Sequence, residues 1–266
     1  MDSTIKLNNN TMMPLIGLGT WEIGSGLNNS STDNIKNAIS LGYRLIDTAR
    51  AYDNEAAVGE AVRASGIPRE EIFITTKLAN EDQGRESAVE AFDASLERLG
   101  LDYVDLYLVH WPVEGKIQDT WRAMESIQAS GRARAIGVSN FSSADIMSVL
   151  SIATVLPAVN QIPCQPFLYK KQKPLIDFCK SKGIAIQAYS PLTHGVKLQD
   201  ELLREIASKY YKTSAQIMLR WAVEHQIVPI PKSSSRQRLA ENIDIFDFKI
   251  SANDMEQLDA LGSNIF

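Results

Sequence analysis

The chain has 266 residues, 44% of them hydrophobic and 22% charged, so it can bury a large core as one α/β barrel or as two smaller domains. Its 27 basic and 32 acidic residues leave a net charge of -5, which argues against binding nucleic acid or anionic membranes mainly by electrostatics. Two cysteines and three histidines do not match a disulfide framework or a rich metal site. The chain lacks an apolar run of about 18 residues and an apolar signal core, so we expect a cytoplasmic protein without membrane or nucleic-acid partners.

Short apolar and β-branched segments alternate with amphipathic stretches of about ten residues or more along the chain. The predicted strands are Leu15–Leu18, Tyr43–Ile46, Ile72–Thr76, Val104–Val109, Ala135–Val138, Ala158–Asn160, Ile184–Ala188 and Ile227–Ile230. Eight strands with helices between them indicate parallel pairing, and roughly 33 residues per unit match a (β/α)8 barrel. A doubly wound sheet would show the same alternation, so periodicity alone leaves both architectures open.

Local signals mark several element ends. Ser142–Asp145 and Thr213–Gln216 each have a hydroxyl followed three residues later by an acid or amide, which predicts a capping box opening a helix. Gly100 follows a helical pattern and is a candidate C-terminal cap. Residues Ile5–Leu15 are typical of a β-hairpin with an Asn-rich turn, which favours a barrel whose bottom it plugs. We therefore expect a single barrel domain over residues 1–266.

Polar or ionisable side chains follow the apolar runs of seven predicted strands. In chain order they are Asp47, Lys77, His110, Ser139 with Asn140, Asn160 with Gln161, Tyr189 with Ser190, and Lys232 with Ser233. In a (β/α)8 barrel the catalytic residues lie where strands end and the following loops begin. We therefore expect these side chains to face one site.

The ends of the second, third and fourth predicted strands carry groups that suit proton transfer, and Tyr52 lies close after Asp47. A phenol has a pKa near 10, too high for efficient acid or base chemistry at neutral pH, and a neighbouring ammonium lowers it. Lys77 would supply that ammonium, with Asp47 holding it charged. His110 would orient a carbonyl oxygen. Together these groups predict a proton donor aimed at the alkoxide that forms when a carbonyl is reduced.

Several segments of the chain resemble the aldo-keto reductases. They are Gly42–Gly59, Leu108–Pro112, Gly137–Phe141, Tyr189–Leu192 and Ile230–Ser234, the last followed by Arg238, Glu241 and Asn242. The resemblance extends from Gly17 to about Leu261 and is strongest to the short microbial members of the family. It implies a (β/α)8 barrel that reduces small aldehydes or ketones reversibly with NADPH.

The resemblance also implies roles for matching residues. Tyr52 would be the general acid or base, tuned by Lys77 and Asp47, while His110 orients the substrate. Trp21 and Trp111, together with Tyr52 and His110, would line the substrate pocket. The implied cofactor-binding residues are Gly19 and Thr20; Ser139, Asn140 and Gln161 for the carboxamide; Tyr189 for the ring; Ser190, Leu192 and Lys232 for the pyrophosphate; Ser233, Ser234 and Arg238 for the 2′-phosphate; and Glu241 and Asn242 for the adenine.

The charge pattern supports this cofactor. Lys232, Arg236 and Arg238 cluster with three serines in an otherwise acidic chain, and charge-assisted hydrogen bonds suit a phosphate dianion. NADPH or NADP+ is therefore favoured over the cofactor without the 2′-phosphate. No G-x-G-x-x-G motif follows a predicted strand, so the dinucleotide-binding mode of Rossmann folds is not expected.

Other interpretations stay open. Lys77 could instead form a Schiff base in a lyase, or the chain could be a cofactor-binding sensor with little turnover. His225, Cys164 and Cys179 are expected to be structural. A structural role is favoured for His194 too, although its place after the seventh strand leaves a role at the site open.

The chain also departs from the family pattern. Pro163 and Gln165 replace a glutamate and a histidine common after the sixth strand. The loop after the seventh strand, Thr193–Gln199, is short, which predicts a less enclosed cofactor. Little chain follows the last predicted helix at Ser251–Leu261, which predicts an open pocket for small polar carbonyls in a monomer or small homo-oligomer.

Overall fold

A computed structural model of the protein describes residues 3–23 and 29–262. Within these ranges eight parallel strands form one sheet in the order of the chain. They are β3 (Leu18–Gly19), β4 (Leu45–Asp47), β5 (Phe73–Leu78), β6 (Val104–Val109), β7 (Ala133–Ser139), β8 (Val159–Pro163), β9 (Ala185–Tyr189) and β10 (Ile227–Pro229). Residues Thr4–Lys6 form β1 and residues Met12–Pro14 form β2.

The sheet closes on itself between its first and last strands. The amide nitrogens of Gly17 and Gly19 donate to the carbonyl oxygens of Pro229 and Pro231, each at 3.0 Å. Gly19 is required for this approach, since a Cβ there would lie 2.8 Å from the carbonyl oxygen of Ile230. The predicted (β/α)8 barrel is confirmed, and the doubly wound alternative, an open sheet, is excluded by the closing hydrogen bonds.

The helices surround the barrel. They are α1 (Asn29–Ser40), α2 (Glu55–Ala64), α3 (Ser87–Leu99), α4 (Ile117–Ala129), α5 (Ser143–Leu150), α6 (Pro166–Ser181), α7 (Glu201–Lys209), α8 (Ser214–Glu224), α9 (Arg236–Ile243) and α10 (Ala252–Ala260). Short 3-10 turns occur at Arg50–Tyr52, Arg69–Glu71 and Thr193–Gly195. Within the described ranges no helix has both the length and the apolar character needed to cross a bilayer.

The predicted helix caps are confirmed. Ser142 accepts from the amide of Asp145 at 3.2 Å, and the Asp145 carboxylate accepts from the Ser142 amide at 2.9 Å, so the capping box opens α5. The same reciprocal pair, Thr213 with Gln216, opens α8. Gly100 ends α3 with φ of 60°, a left-handed conformation that glycine adopts without steric cost.

The strands continue past their apolar runs, which shifts the predicted boundaries. We predicted the first strand at Leu15–Leu18, but β3 is Leu18–Gly19. Strands β4 and β5 end at Asp47 and Leu78 and so include Asp47 and Lys77, which we had placed after the strands. The ladder depends on backbone hydrogen bonds rather than side-chain polarity, so polar residues remain within it. Asp47 and Lys77 therefore lie within the barrel strands themselves.

The N-terminal hairpin covers the bottom of the barrel, as predicted. Strands β1 and β2 pair antiparallel, and the buried side chains of Leu7 and Met13 belong to the same apolar cluster as Phe73 and Leu106 inside the barrel. Asn8 Nδ2 donates to the carbonyl oxygen of Pro157, just before β8, at 2.9 Å. The hairpin therefore closes the N-terminal ends of the strands and leaves the C-terminal ends for a site.

Candidate active site

A cavity of about 990 Å³ lies at the C-terminal ends of the barrel strands. Of the predicted catalytic and substrate-pocket residues it is lined by Trp21, Asp47, Tyr52, His110 and Trp111. Of the predicted cofactor-binding residues it is lined by Gly19, Ser139, Asn140, Gln161, Tyr189, Ser190, Leu192, Lys232, Ser233, Ser234, Arg238, Glu241 and Asn242. Residues distant in sequence thus surround one continuous space.

Two predicted site residues lie behind the cavity wall. Lys77 is fully buried, and its Nζ contacts the hydroxyl of Tyr52, which lines the cavity. Thr20 is also fully buried, and its hydroxyl donates to the carbonyl oxygen of Asp47 at 2.9 Å. The polar groups of Thr20 are used within the protein, so the structure gives Thr20 a supporting position rather than a place on the cavity surface.

Lys77 is the centre of the polar cluster at the cavity floor. Its Nζ donates to Asp47 Oδ1 at 2.5 Å, to the carbonyl oxygen of Thr48 at 2.9 Å and to the Tyr52 hydroxyl at 3.2 Å. These acceptors match the three N–H bonds of an ammonium. Burial works to lower the pKa of Lys77, but the attraction of Asp47 outweighs it and the pKa lies above its ordinary value. Lys77 is therefore a cation at neutral pH.

Asp47 serves as the buried anion of this cluster. Burial raises its pKa, while the charge of Lys77 and hydrogen bonds from Lys77 and Gln161 oppose that rise. Its Oδ1 faces the Lys77 ammonium, and its Oδ2 accepts from Gln161 Nε2 at 2.6 Å. Both oxygens act as acceptors, which is the pattern of a carboxylate. An ion pair thus forms inside the barrel, where neither charge can be removed without leaving the other uncompensated.

Tyr52 differs from the prediction in the direction of its pKa shift. We expected the neighbouring ammonium to lower the pKa of the phenol, and Lys77 does act that way. Burial of the Tyr52 side chain exceeds that effect, and the negative charge of Asp47 adds to it, so the pKa of Tyr52 is raised. Tyr52 is therefore a protonated phenol at neutral pH, the form that can donate a proton.

His110 lies beside the phenol with its ring edge-on, at 5.7 Å between ring centroids. Burial, reinforced by the positive charge of Lys77, lowers the pKa of His110 to about 3. The imidazole is therefore neutral across the physiological range, with one N–H donor and one acceptor nitrogen. Such a ring suits orientation of a carbonyl oxygen by a hydrogen bond.

Asn54 supports this floor and was not predicted from the sequence. It is almost fully buried, and its Oδ1 accepts from the Thr48 hydroxyl at 2.6 Å. Its Nδ2 donates to the carbonyl oxygen of Thr20 at 2.8 Å. Asn54 therefore joins the chain after β3 to the chain after β4, just beyond Tyr52. The sequence gives one indication of its importance, since Asn54 lies within Gly42–Gly59, one of the segments that carry the family resemblance.

Amide and hydroxyl side chains form the cavity wall beside the cluster of Asp47, Tyr52, Lys77 and His110. Asn140 Nδ2 donates to the carbonyl oxygen of His110 at 3.1 Å and to Ser139 Oγ at 3.0 Å. Its Oδ1 accepts from the Tyr189 hydroxyl at 2.8 Å, which fixes the Tyr189 ring against the cavity. Asn140 and Ser190 both have positive φ, at 63° and 49°. Strained residues of this kind concentrate at binding sites.

The far end of the cavity is basic. Lys232 and Arg238 line it together with Ser233 and Ser234, as predicted for a phosphate group. Ser235 accepts from the Arg238 amide at 3.4 Å and caps α9 there. The prediction that Arg236 belongs to this basic cluster was wrong, because its side chain points to α1. Its guanidinium donates to Asn37 and Ser40 of that helix at 2.8 and 3.2 Å.

The remaining predicted residues of this end are held in place by neighbouring helices. Asn242 is buried in α9, and the Glu241 carboxylate accepts from the Thr213 hydroxyl at the start of α8, at 2.7 Å. A flat ligand edge could reach Glu241 and Asn242 from the cavity that both line.

Two residues at the rim of the cavity, His194 and Glu22, were not assigned to the site from the sequence. The His194 ring meets Trp21 edge-on at 5.9 Å between centroids, and its Nε2 lies 3.2 Å from Ser190 Oγ. His194 thus reaches the site, which the sequence left open. Glu22 also lines the rim in a left-handed conformation with φ of 58°.

The residues outside the site have structural partners. His225 ends α8 and its Nε2 lies 2.7 Å from Asp259 of α10. Cys164 and Cys179 are free, fully buried thiols whose pKa values burial raises to about 12 and about 11. Gln165, where relatives have a titratable residue, accepts from the Phe167 amide at 2.7 Å and caps α6. Gln165, one of the two residues that depart from the family pattern after the sixth strand, therefore acts as the N-terminal cap of α6.

Comparison with known proteins agrees with this geometry. The family model described as the aldo/keto reductase family matches residues 15–263. Glyoxal reductase of Bacillus subtilis (strain 168) is 48% identical over 264 residues, covering 99% of this chain and 94% of that protein. Morphine 6-dehydrogenase of Pseudomonas putida is 46% identical over 277 residues, with 98% and 92% covered.

Solved structures agree as well. The aldo/keto reductase from Brucella melitensis superposes with a TM-score of 0.92 at 44% identity, covering 97% of this chain and 99% of that one. The Bombyx mori aldo-keto reductase, solved in complex with NADP, has a TM-score of 0.90 at 36% identity, with 96% and 91% covered. The barrel and these matches establish that the chain belongs to the aldo/keto reductase family, an oxidoreductase family whose members act on carbonyls.

Proposed function

We propose that the protein reduces small aldehydes or ketones reversibly with NADPH, and that Tyr52 supplies the proton. The observation that carries this proposal is the Tyr52 phenol at the cavity floor, 3.2 Å from the Lys77 ammonium, which is itself paired with Asp47. A protonated phenol beside a fixed cation can give up its proton to an alkoxide, because the cation stabilises the phenolate left behind.

The residues divide the chemical work. His110 is neutral and edge-on to Tyr52, so its N–H can hold the carbonyl oxygen beside the phenol. Lys77 and Asp47 keep the proton-donating arrangement in place without touching substrate. Trp21 and Trp111 line the same cavity and would pack against the substrate. A nicotinamide cofactor bound along the cavity would supply the hydride, and positioning accounts for much of the expected rate.

The side chains that line the cavity fit a nicotinamide cofactor. The Tyr189 ring offers a flat surface, and Ser139, Asn140 and Gln161 carry the polar groups a carboxamide needs. Lys232 and Arg238, with two serines, suit a 2′-phosphate at the opposite end. The NADP complex of the Bombyx mori relative supports the same choice.

The two alternatives are less well supported. A Schiff-base lysine needs a free amine, whereas Lys77 is a buried ammonium with three acceptors and a raised pKa. A cofactor-binding sensor would have no need for Tyr52, Lys77, Asp47 and His110 in one cluster. The name of one relative, glyoxal reductase, favours a small carbonyl substrate. The two free thiols support a reducing compartment as the location.

The experiment that tests this proposal measures NADPH oxidation against a panel of short aldehydes, aldoses, α-keto compounds and diketones. We expect turnover with at least one class and faster turnover with NADPH than with NADH. Tight NADPH binding with negligible turnover across the panel would favour the sensor. Trapping of a carbonyl compound on Lys77 by borohydride, without NADPH use, would favour the lyase.

A further inference from the structure

Gln187 is a buried polar residue that the mechanism above does not use. It lies in β9 inside the barrel, two residues before Tyr189, and is fully buried. Its Oε1 accepts from Gln161 Nε2 at 2.6 Å, whereas its own Nε2 has no hydrogen-bond partner. An unpaired buried amide nitrogen costs about 1–3 kcal/mol, so a role beyond packing is expected to offset it.

The hydrogen bonds around Gln161 define which way its amide points. Its Nε2 donates to Asp47 Oδ2 and to Gln187 Oε1, each at 2.6 Å. An amide nitrogen has two hydrogens, so both are used. The nitrogen must face Asp47, because a carboxylate cannot donate to an amide oxygen. Gln187 must then present its oxygen, which leaves its own nitrogen unpaired.

The consequence is that Gln161 offers the cavity only its oxygen. Gln161 lines the cavity, and among the described residues no donor reaches its Oε1. A carboxamide has an NH2 group that such an acceptor can bind, whereas an acetyl group in its place has none. The amide orientation therefore selects for a ligand that presents an N–H at this point of the wall.

We infer that Gln187 is a positioning residue that locks the amide of Gln161 so that its oxygen accepts from the carboxamide NH2 of the nicotinamide. The inference rests on the proposed function, since it concerns how that cofactor is recognised. Gln187 acts through Gln161, its register partner in the neighbouring strand, and does not itself line the cavity. Without Gln187 one hydrogen of Gln161 Nε2 loses its acceptor, and only the hydrogen bond to Asp47 Oδ2 still orients the amide, so its oxygen is held less firmly toward the ligand.

The test compares binding of NADP+ with binding of its 3-acetylpyridine analogue, which lacks the NH2 donor. In Gln187→Leu we expect NADP+ affinity to fall about 3- to 10-fold, the value of one hydrogen bond, and analogue affinity to change less than about twofold. Thr75→Val is the matched control, because Thr75 is also fully buried in the barrel with an unpartnered hydroxyl. It should leave the ratio of the two affinities unchanged.

A second variant guards against a folding defect. Gln187→Met has similar volume without an acceptor and should shift the ratio in the same direction. In a Gln161→Ala background, Gln187→Met should no longer change the ratio of the two affinities, because the amide that Gln187 positions is absent. A ratio unaltered in both Gln187 variants would overturn the inference while leaving the proposed function intact, provided that wild type binds NADP+. Failure of wild type to bind NADP+ would instead overturn the proposed function.

Discussion

The ammonium nitrogen of Lys77 lies 3.2 Å from the phenol oxygen of Tyr52, below the cavity and away from any substrate. Burial raises the pKa of Tyr52, and Lys77 acts in the opposite direction. The balance keeps the phenol protonated but close to a charge that can stabilise its anion. In the proposed mechanism, the buried pair of Lys77 and Asp47 prepares Tyr52 for proton donation and, in reverse, for proton uptake.

Replacing Lys77 by Met should impair alcohol oxidation more than carbonyl reduction. Oxidation needs the Tyr52 anion, and the substitution removes the cation that stabilises it, so the pH for half-maximal oxidation should rise. We expect roughly a 100-fold lower rate near neutral pH. The measurement is the pH profile of both directions. A profile unchanged from wild type would show that Lys77 does not tune Tyr52.

This variant needs a control for folding, because it leaves Asp47 as an unpaired buried charge at a cost of about 3–5 kcal/mol. The double variant Asp47→Asn with Lys77→Met removes both charges and should recover much of that free energy of unfolding. It should remain slow in oxidation. If the double variant recovered both the free energy of unfolding and the oxidation rate, the defect of Lys77→Met would come only from the unpaired charge of Asp47.

His110 should make the fold sensitive to acid. Its pKa is lowered from 6.5 to about 3, so between these values the unfolded chain binds the proton and the folded chain does not. The stability that this group contributes is present above pH 6.5 and falls as the pH decreases towards 3. Wild type should lose about 1.4 kcal/mol more per pH unit than His110→Gln over pH 6 to 4, measured by urea unfolding. Parallel losses in the two proteins would contradict the lowered pKa.

Arg238 should discriminate NADPH from NADH. Its side chain lines the basic end of the cavity, so Arg238→Ala should raise the KM for NADPH about 10- to 100-fold and change that for NADH little. Arg236→Ala is the matched control, since that guanidinium contacts α1 instead. Equal effects of Arg238→Ala on both cofactors would remove Arg238 from the phosphate site.

Asn54 should affect turnover without touching a ligand. Asn54→Ala removes the links from Thr48 and Thr20, and we expect the free energy of unfolding to fall by about 1–3 kcal/mol. The kcat should fall roughly tenfold, while cofactor affinity stays near that of wild type. Asn54→Asp keeps the acceptor for Thr48 and should recover part of the kcat. A loss of stability with kcat unchanged would make Asn54 purely structural.

The sequence predicted most of the side chains that line the cavity, because the barrel brings strand ends together. Once Asp47, Lys77 and His110 were assigned to consecutive strands, their meeting followed from parallel topology. The hairpin at the barrel bottom followed from its turn residues. These features depend on local pattern and connectivity, which a single sequence contains.

The remaining features depend on three-dimensional surroundings. The pKa of Tyr52 is raised because the side chain is buried, and no spacing reports burial. Arg236 and Arg238 are two residues apart on a helix, so they point in different directions and only Arg238 faces the cavity. Gln187 is a polar residue in an apolar strand segment, a signal whose meaning appears only once its partner Gln161 is known.

The most direct test of the central claim compares wild type with Tyr52→Phe in two measurements on the same protein, namely NADPH binding and the rate of NADPH oxidation with a reactive aldehyde. We expect Tyr52→Phe to bind NADPH within about twofold of wild type and to lose a factor of about 100 to 10,000 in rate, the usual contribution of a general acid. A rate near that of wild type would contradict the assignment of Tyr52 as the proton donor.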